Sequence, residues 1–483
     1  MTTISATSES PSAENETPCF PSIIQGGMGV GVSNWVLARA VARRGQLGVV
    51  SGTSLDTVMV RRLQDGDPGG HVRRAIEQFP IRGVGADVLH RYFLTGGRAV
   101  GQPYRMLPMY KQVVSVARQQ VTMLANFVEV YLAKVGHDGP VGINLLTKVQ
   151  LPNLASLCGA MLAGVDYVLM GAGIPREIPG VLDAFSEYRA ASIKFDVEGL
   201  PAGEVEYLTF DPVAHGVNQT MPMKRPRFIA IVAASSLAAT LARKATGRVD
   251  GFVVEGPTAG GHNAPPRGEA KLNARGEPIY GERDVVDMQR MAEIGAPFWI
   301  AGGAGSPERL VDALSVGAAG IQVGTLFAYC DESGIDEPLR NEVLSHAARG
   351  DLDVITDPRA SPTGYPFKVV RWAGDDPPVR KRKCDLGYLR TAYRDENGRI
   401  GFRCAAEPVD TYVKKGGAIE DTEGRQCLCN GLTANIGQAQ VTEAGGEEPP
   451  LLTSGDDLLT IQHFLNGRTR YAAADVVDYL LGA

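Results

Sequence analysis

The chain has 483 residues, 44% hydrophobic and 21% charged, values near globular averages that exclude wholesale disorder and fibrous repeats. At roughly 150 residues per domain the length allows about three domains, but an α/β barrel of about 250 residues counts as one, so one large unit with a smaller companion fits. With 48 basic and 54 acidic residues the net charge is −6, which argues against nucleic acid or an anionic membrane and leaves a small molecule as the partner.

Glycine is in excess, at 58 residues, against a usual share of roughly 7%, and without collagen periodicity that points to tight loops or backbone held close to a ligand. Residues 1–19 contain no Lys or Arg up to Pro18 and no apolar core, so they read as a disordered tail rather than a secretory signal. From Ile23 onward, short apolar runs that reach glycine recur: IIQGG near 23, LGVVSG near 47, VGINLL near 141 and YVLMGAG near 167, then FIAIVA near 228, GFVVEG near 251, FWIAGG near 298 and GIQVGT near 320. They are apolar on both faces and mostly followed by helical patterns, as over 34–44 and 307–316, which is how parallel strands covered on both sides read. Eight such units imply a (β/α)8 TIM barrel over residues 20–370, although the same alternation would also permit a doubly wound open sheet.

Two spacings exceed those of a plain barrel. Residues 61–138 form an insert with helical patterns over 67–90 and 110–134, expected to pack over one end. Residues 180–225 form a second, in which 193–197 and 205–210 alternate like a hairpin. The apolar stretch 228–242 contains Ser235, Ser236 and Thr240 and is too short to span a bilayer. Past Phe367 the rhythm stops, and 371–483 reads as a C-terminal extension carrying four of the seven cysteines. Near its end, Ser454 before Asp456 and Asp457 reads as a capped helix start, with a last helix over 472–481. An odd cysteine count without an export signal points to a reducing, cytoplasmic setting.

In a barrel the site lies at the C-terminal strand ends, with phosphate often bound after strands seven and eight. Gly302 and Gly303 end the seventh and Gly324 and Thr325 the eighth, where bare amides and a hydroxyl can cradle a phosphate. The first ends in Gly27, Met28 and Gly29, a superficial dinucleotide fingerprint. Ser51 and Gly52 stand where that fingerprint needs an acid, so a Rossmann site is rejected. Met28 and the glycines could instead let a flat ring lie against the backbone, with Asn144 at its polar edge. His262 follows Gly260 and Gly261 after the sixth strand, and its ordinary pKa near 6.5 suits proton transfer or stabilising an anion. The other six histidines show no metal-binding spacing.

The segments IIQGGM, GIN, EGPTAGGH from 255, AGGAG near 301 and VGTLF near 323 resemble the nitronate monooxygenase family, long called 2-nitropropane dioxygenases, and also flavin-dependent enoyl reductases. The resemblance covers roughly residues 20–330. It implies an FMN-dependent barrel enzyme. The phosphate is expected at Gly302, Gly303, Gly324 and Thr325, the ring near Gly27, Met28 and Asn144 with Gly260 and Gly261 close by, and His262 beside the substrate. Typical members have Glu where this chain has Thr258, which bears on the substrate more than on the flavin. Three functions follow: oxidation of a nitronate or stabilised carbanion with O2; NAD(P)H-dependent reduction of an enoyl thioester, with an acyl carrier protein as partner; or a flavin-containing, non-catalytic partner subunit. A homo-oligomer is compatible with each.

Cys384, Cys404, Cys427 and Cys429 could hold zinc or an iron-sulfur cluster, although their spacing is not a standard one and four unrelated thiols are the alternative. The basic run Arg380, Lys381, Arg382 and Lys383 would lower the Cys384 pKa if it lies nearby, or else be a solvated charged patch.

Overall fold

The computed structural model describes residues 20–372, 374, 381–441 and 446–482; the tail over 1–19 and Arg380 lie outside them. Eight parallel strands form one sheet: β1 Ile23–Gln25, β2 Gly48–Ser51, β3 Val141–Leu146, β4 Tyr167–Gly171, β5 Arg227–Val232, β6 Gly251–Glu255, β7 Phe298–Ala301 and β8 Gly320–Val323. Each pairs with its sequence neighbour from β2 to β8, and β8 pairs with β1. The remaining gap is closed by Gln25 N–H donating to Leu47 O at 2.9 Å and Leu47 N–H to Ile23 O at 3.1 Å. The sheet is therefore a closed barrel, not an open one.

The period of two in a strand sorts the side chains. Ile24, Val49, Leu169, Ile229, Val253 and Trp299 fill the interior. Their neighbours Ile23, Val50, Val168, Phe228, Phe252, Phe298 and Ile321 join the larger core beneath the helices, each contributing about 1.5–3 kcal/mol by burial. Trp299 closes the bottom, its Nε1–H donating to Pro21 O at 2.8 Å.

The outer ring starts with α1, Trp35–Ala42, whose first turn is capped by the Asn34 side chain accepting from Leu37 N–H at 2.9 Å. The insert before β3 contains short helices at Leu55–Gln64, His71–Ile76 and Val84–Tyr92, and then α2, Val116–Lys134. Here the expectation of helices packed over one end is corrected for α2. It packs between α1 and α3, Gln150–Leu162, as a member of the ring. The physical reason is a helix buried on more than one side, with Met123, Leu124, Phe127, Val128 and Val130 all in the main core.

The second insert is a hairpin, strand Ala191–Phe195 antiparallel to Glu206–Phe210. Its connecting loop contributes Val197–Glu198 to a three-stranded sheet with Thr391–Arg394 and Ile400–Arg403. Residues beyond 370 are interleaved with the barrel. The final helix, Ala473–Leu481, packs against both α1 and Pro307–Ser315, where the eighth ring helix belongs, and Arg44 pairs with Asp478 across that contact. No helix among the described residues is long and apolar enough to cross a membrane.

Candidate functional site

A cavity of about 240 Å³ opens at the C-terminal ends of the barrel strands. Gly27, Met28, Asn144, Gly260, Gly261, His262, Gly302, Gly303, Gly324 and Thr325 all line it, although they come from five strand ends spread over three hundred residues of chain. Its roof comes from the far part of the chain, through Tyr388, Leu389, Leu428, Leu432 and Leu452.

The β1 end is built by a small polar network. Ser33 Oγ accepts from Met28 N–H at 2.9 Å and donates to Gly26 O at 2.8 Å, while Gln25 Oε1 accepts from Val49 N–H at 2.9 Å. Gly27 has to be glycine, because a Cβ there would stand 2.3 Å from Asn144 Cβ. That close approach lets Asn144 Nδ2 donate to Gly27 O at 3.1 Å and leaves buried Asn144 Oδ1 without a hydrogen bond. Gln322 Oε1, on β8, is likewise buried and unpartnered in the cavity wall. Two orphaned acceptors would cost about 1–3 kcal/mol each unless a ligand or water meets them. They fit a polar ring edge in the position the sequence expects for flavin.

At the β7 end, Gly302 and Gly303 have φ values of 87° and 65°, a left-handed conformation that disfavours side chains and leaves bare amides. Gly260 and Gly261 serve the chain itself. A Cβ on Gly260 would lie 2.8 Å from the Gly455 amide, and Gly261 N–H donates to Thr453 Oγ1 at 2.9 Å. Thr325 Oγ1 accepts from Gly455 N–H at 3.2 Å, and Thr258 O accepts from Asp456 N–H at 3.0 Å. The stretch 453–457 therefore crosses between the β6 and β8 loops. The capped helix start expected at Ser454 is corrected accordingly: a 3-10 turn over Asp456–Thr460 begins after Gly455 without a side-chain cap. Asp456 pairs with Lys368, and Asp457 accepts from the Gly305 amide beside the glycine loop. Burial pushes the Asp457 carboxyl up.

His262 sits against strand Phe367–Trp372, edge-on to Phe367 with ring centroids 4.9 Å apart. Its Nε2 lies 2.7 Å from Ser361 Oγ, which is 2.7 Å from Thr363 Oγ1 and accepts from Thr363 N–H at 3.2 Å. Two proton arrangements satisfy this chain: Thr363 donating to Ser361 and Ser361 to Nε2, with the imidazole proton on Nδ1, or Nε2–H donating to Ser361 and Ser361 to Thr363. Burial, helped by the Lys148 charge, lowers the His262 pKa to about 4. Of the two roles expected for His262, proton transfer near pH 6.5 does not suit the lowered pKa, and stabilising an anion stays open. The ring is neutral at physiological pH and a poor base, but a competent N–H donor.

Sequence reasoning missed Glu255, the last residue of β6, which lines the same cavity and is pushed up to about 7 by burial. Being an acid at the C-terminal end of a barrel strand was the available signal. It also missed the anchor of the roof. Asp56 accepts from Arg118 Nη2 at 2.8 Å, from Thr122 Oγ1 at 2.9 Å and from the Tyr388 hydroxyl. Burial alone would raise the Asp56 carboxyl, but the Arg118 charge and these hydrogen bonds hold it below its ordinary value.

Of the four cysteines, only Cys429 touches the large cavity, and all four line a smaller neighbouring one. Their thiols are unbridged. Among the described residues no three His, Cys, Asp or Glu side chains are placed to hold a metal ion. The basic run does not lower the Cys384 pKa, the outcome it would have had if it lay nearby: interaction with Cys404 and then burial push that thiol up. Arg382 instead spends its guanidinium on Ala405 O and Thr422 O.

The fold and site define a parallel (β/α)8 barrel with a glycine-lined, amide-rich mouth. Residues 205–357 match the family model for nitronate monooxygenase. A nitronate monooxygenase of Paraburkholderia phytofirmans is 29% identical over 173 residues, 35% of this chain and 41% of that relative, so less than half of the relative's length is matched. The match therefore runs from the second hairpin strand past β8 to strand Leu352–Asp357, and takes in the motifs from EGPTAGGH onward. Among solved structures, FabK from Thermotoga maritima is similar with a TM-score of 0.46 and 16% identity, covering 96% of this chain and 92% of that one. A nitroalkane oxidase from Streptomyces ansochromogenes has a TM-score of 0.45 and 15% identity, with 96% of each chain covered. The enoyl reductase domain of MlnA from Bacillus amyloliquefaciens has a TM-score of 0.49 and 12% identity, covering 95% and 93%.

Proposed function

We propose that this protein is an FMN-dependent oxidoreductase of nitronate monooxygenase type, which oxidises a nitronate or similarly stabilised carbanion with O2. The observation that carries the reading is the pairing, across one cavity, of the bare β7 and β8 strand ends with the unpartnered buried oxygen of Asn144. Gly302, Gly303, Gly324 and Thr325 would hold the phosphate, while Met28, Asn144 and Gln322 would meet the ring. Bound FMN would supply a two-electron acceptor, which no side chain in the cavity offers. With Ser361 donating to Nε2, neutral His262 would carry its proton on Nδ1 and would donate it to an anionic oxygen of the substrate. A nitronate is already deprotonated at carbon, so its oxidation needs no strong base, in keeping with an imidazole pKa of about 4. The leucine roof excludes water from the reacting carbon.

That same roof favours a second reading. Leu389, Leu428, Leu432 and Leu452 offer an apolar wall to an acyl chain, as an enoyl thioester reductase fed by NAD(P)H and served by an acyl carrier protein would require. Anaerobic mixing of the flavin-loaded protein with an alkyl nitronate, and separately with NADPH, tests both by flavin absorbance. Bleaching by the nitronate alone supports the first reading. Bleaching by NADPH, reversed by an enoyl thioester, replaces it with the second, and bleaching by neither points to a non-catalytic flavin subunit.

A further inference from the structure

Residues 453–457, near the far end of the chain, cross the strand ends where the flavin reading places a phosphate. The crossing is pinned along its length. Gly261 N–H donates to Thr453 Oγ1 at 2.9 Å, Gly455 N–H to Thr325 Oγ1 at 3.2 Å and Asp456 N–H to Thr258 O at 3.0 Å, while Lys368 pairs with Asp456 at 2.5 Å. On either side of it Leu452 and Leu458 are buried in the main core. The backbones approach so closely that a Cβ on Gly455 would stand 2.9 Å from Thr325 Oγ1 and 3.0 Å from Thr258 O.

This crossing brings a hydroxyl that the fold itself does not use. Ser454 is 5% exposed and lines the large cavity, and its Oγ has no hydrogen-bond partner. It does not cap a helix, since the turn Asp456–Thr460 begins after it without a side-chain cap. The Tyr329 hydroxyl is near enough to interact with Ser454 but forms no hydrogen bond with it, and is itself buried and unpartnered. A buried hydroxyl in that state is destabilising unless a ligand or water meets it. Thr325 Oγ1 is in a related position: it spends a lone pair on the Gly455 amide, which leaves its own proton to donate.

Charge makes these hydroxyls matter. Among the described residues no Lys or Arg lines the cavity, so a phosphate at the β7 and β8 ends is held by amides and hydroxyls. Asp457 opposes it with a carboxyl that takes the Gly305 amide for itself. We propose that Ser454 is a phosphate-binding residue of this site, its hydroxyl donating to a phosphate oxygen beside the Thr325 hydroxyl and the Gly302 and Gly303 amides. The residues beyond 370 thereby complete the flavin pocket, from outside the stretch 205–357 that matches nitronate monooxygenase. This assignment rests on the flavin reading.

The test is fluorescence titration of the flavin-free full chain with FMN and with riboflavin, which has the same ring and ribityl chain but no phosphate. The parent should prefer FMN. Ser454→Ala should weaken FMN binding by about tenfold or more, the scale of a hydrogen bond to a charged group, and leave riboflavin binding unchanged. The phosphorus resonance of bound FMN should also move between parent and variant. Gly455→Ala pushes the crossing off Thr325 and should weaken FMN binding at least as much while the barrel keeps its far-ultraviolet circular dichroism. Parental FMN affinity in Ser454→Ala, with the phosphorus resonance unmoved, would overturn the proposal and leave the flavin reading intact. Equal losses for FMN and riboflavin would also overturn it, because Ser454 would then support the shape of the pocket and not the phosphate. A parent that binds neither flavin would overturn the flavin reading itself, and this assignment with it.

Discussion

Glu255 ends β6 inside the cavity wall, and no cation pairs with it among the described residues. Its carboxyl is pushed from 4.5 up to about 7 by burial alone. The folded chain therefore keeps a proton that the unfolded chain releases, so stability falls as pH rises from about 4.5 to about 7 and levels off above that. The rise from 4.5 to about 7 corresponds to at most about 3.4 kcal/mol, and to about 2 kcal/mol once partial solvent access is allowed for. Glu255→Gln keeps the shape and cannot ionise. In flavin-free protein its stability relative to the parent should improve by about 2 kcal/mol between roughly pH 5 and pH 8.5, read by urea unfolding at a series of pH values. Stability curves for parent and variant that run parallel across this range would refute the reasoning and show that water or an unseen partner already solvates the carboxylate.

Replacing His262 by Ala should leave flavin bound and lower turnover by about a hundredfold. With a histidine pKa of about 4, the parent's rate should show no inflection near the usual imidazole value; such an inflection, lost in the Ala variant, would contradict the neutral-donor role. Ser361→Ala releases Nε2 and should cost less, about tenfold, with a rise in KM for the anionic substrate; wild-type kinetics would leave the hydroxyl chain without a role. Asp457→Asn removes a negative charge beside the glycine loop and should tighten FMN binding severalfold in a fluorescence titration, with weaker binding counting against phosphate at that place. Arg118→Ala strands the buried Asp56 carboxylate and should destabilise the fold by about 3–5 kcal/mol in urea unfolding, and a loss below 1 kcal/mol would show that Asp56 finds other partners.

Local sequence was enough for the barrel strands because each is short and apolar on both faces and most are stopped by glycine, a pattern that survives without knowledge of its neighbours. The same locality marked the glycine-lined ends that converge on the cavity, and the hairpin over 193–210 through its alternation. Tertiary structure alone decided which helices complete the ring. The periodicity of 116–134 and of 473–481 says that a helix has an apolar face, not what that face meets; the first joins the ring beside α1, and the second closes it from the far end of the chain. The chemistry of individual groups was equally nonlocal. The His262 pKa is lowered by burial and Lys148, Glu255 is raised by burial, and Gly260 is needed because Gly455 crosses it. Cys384, Cys404, Cys427 and Cys429, which the sequence offered either as one set or as unrelated thiols, line one small cavity where the end of strand Ile400–Arg403 and the start of helix Leu428–Ala434 come together. Pairing partners distant in sequence set dielectric, charge and proximity, and those quantities are properties of the folded chain.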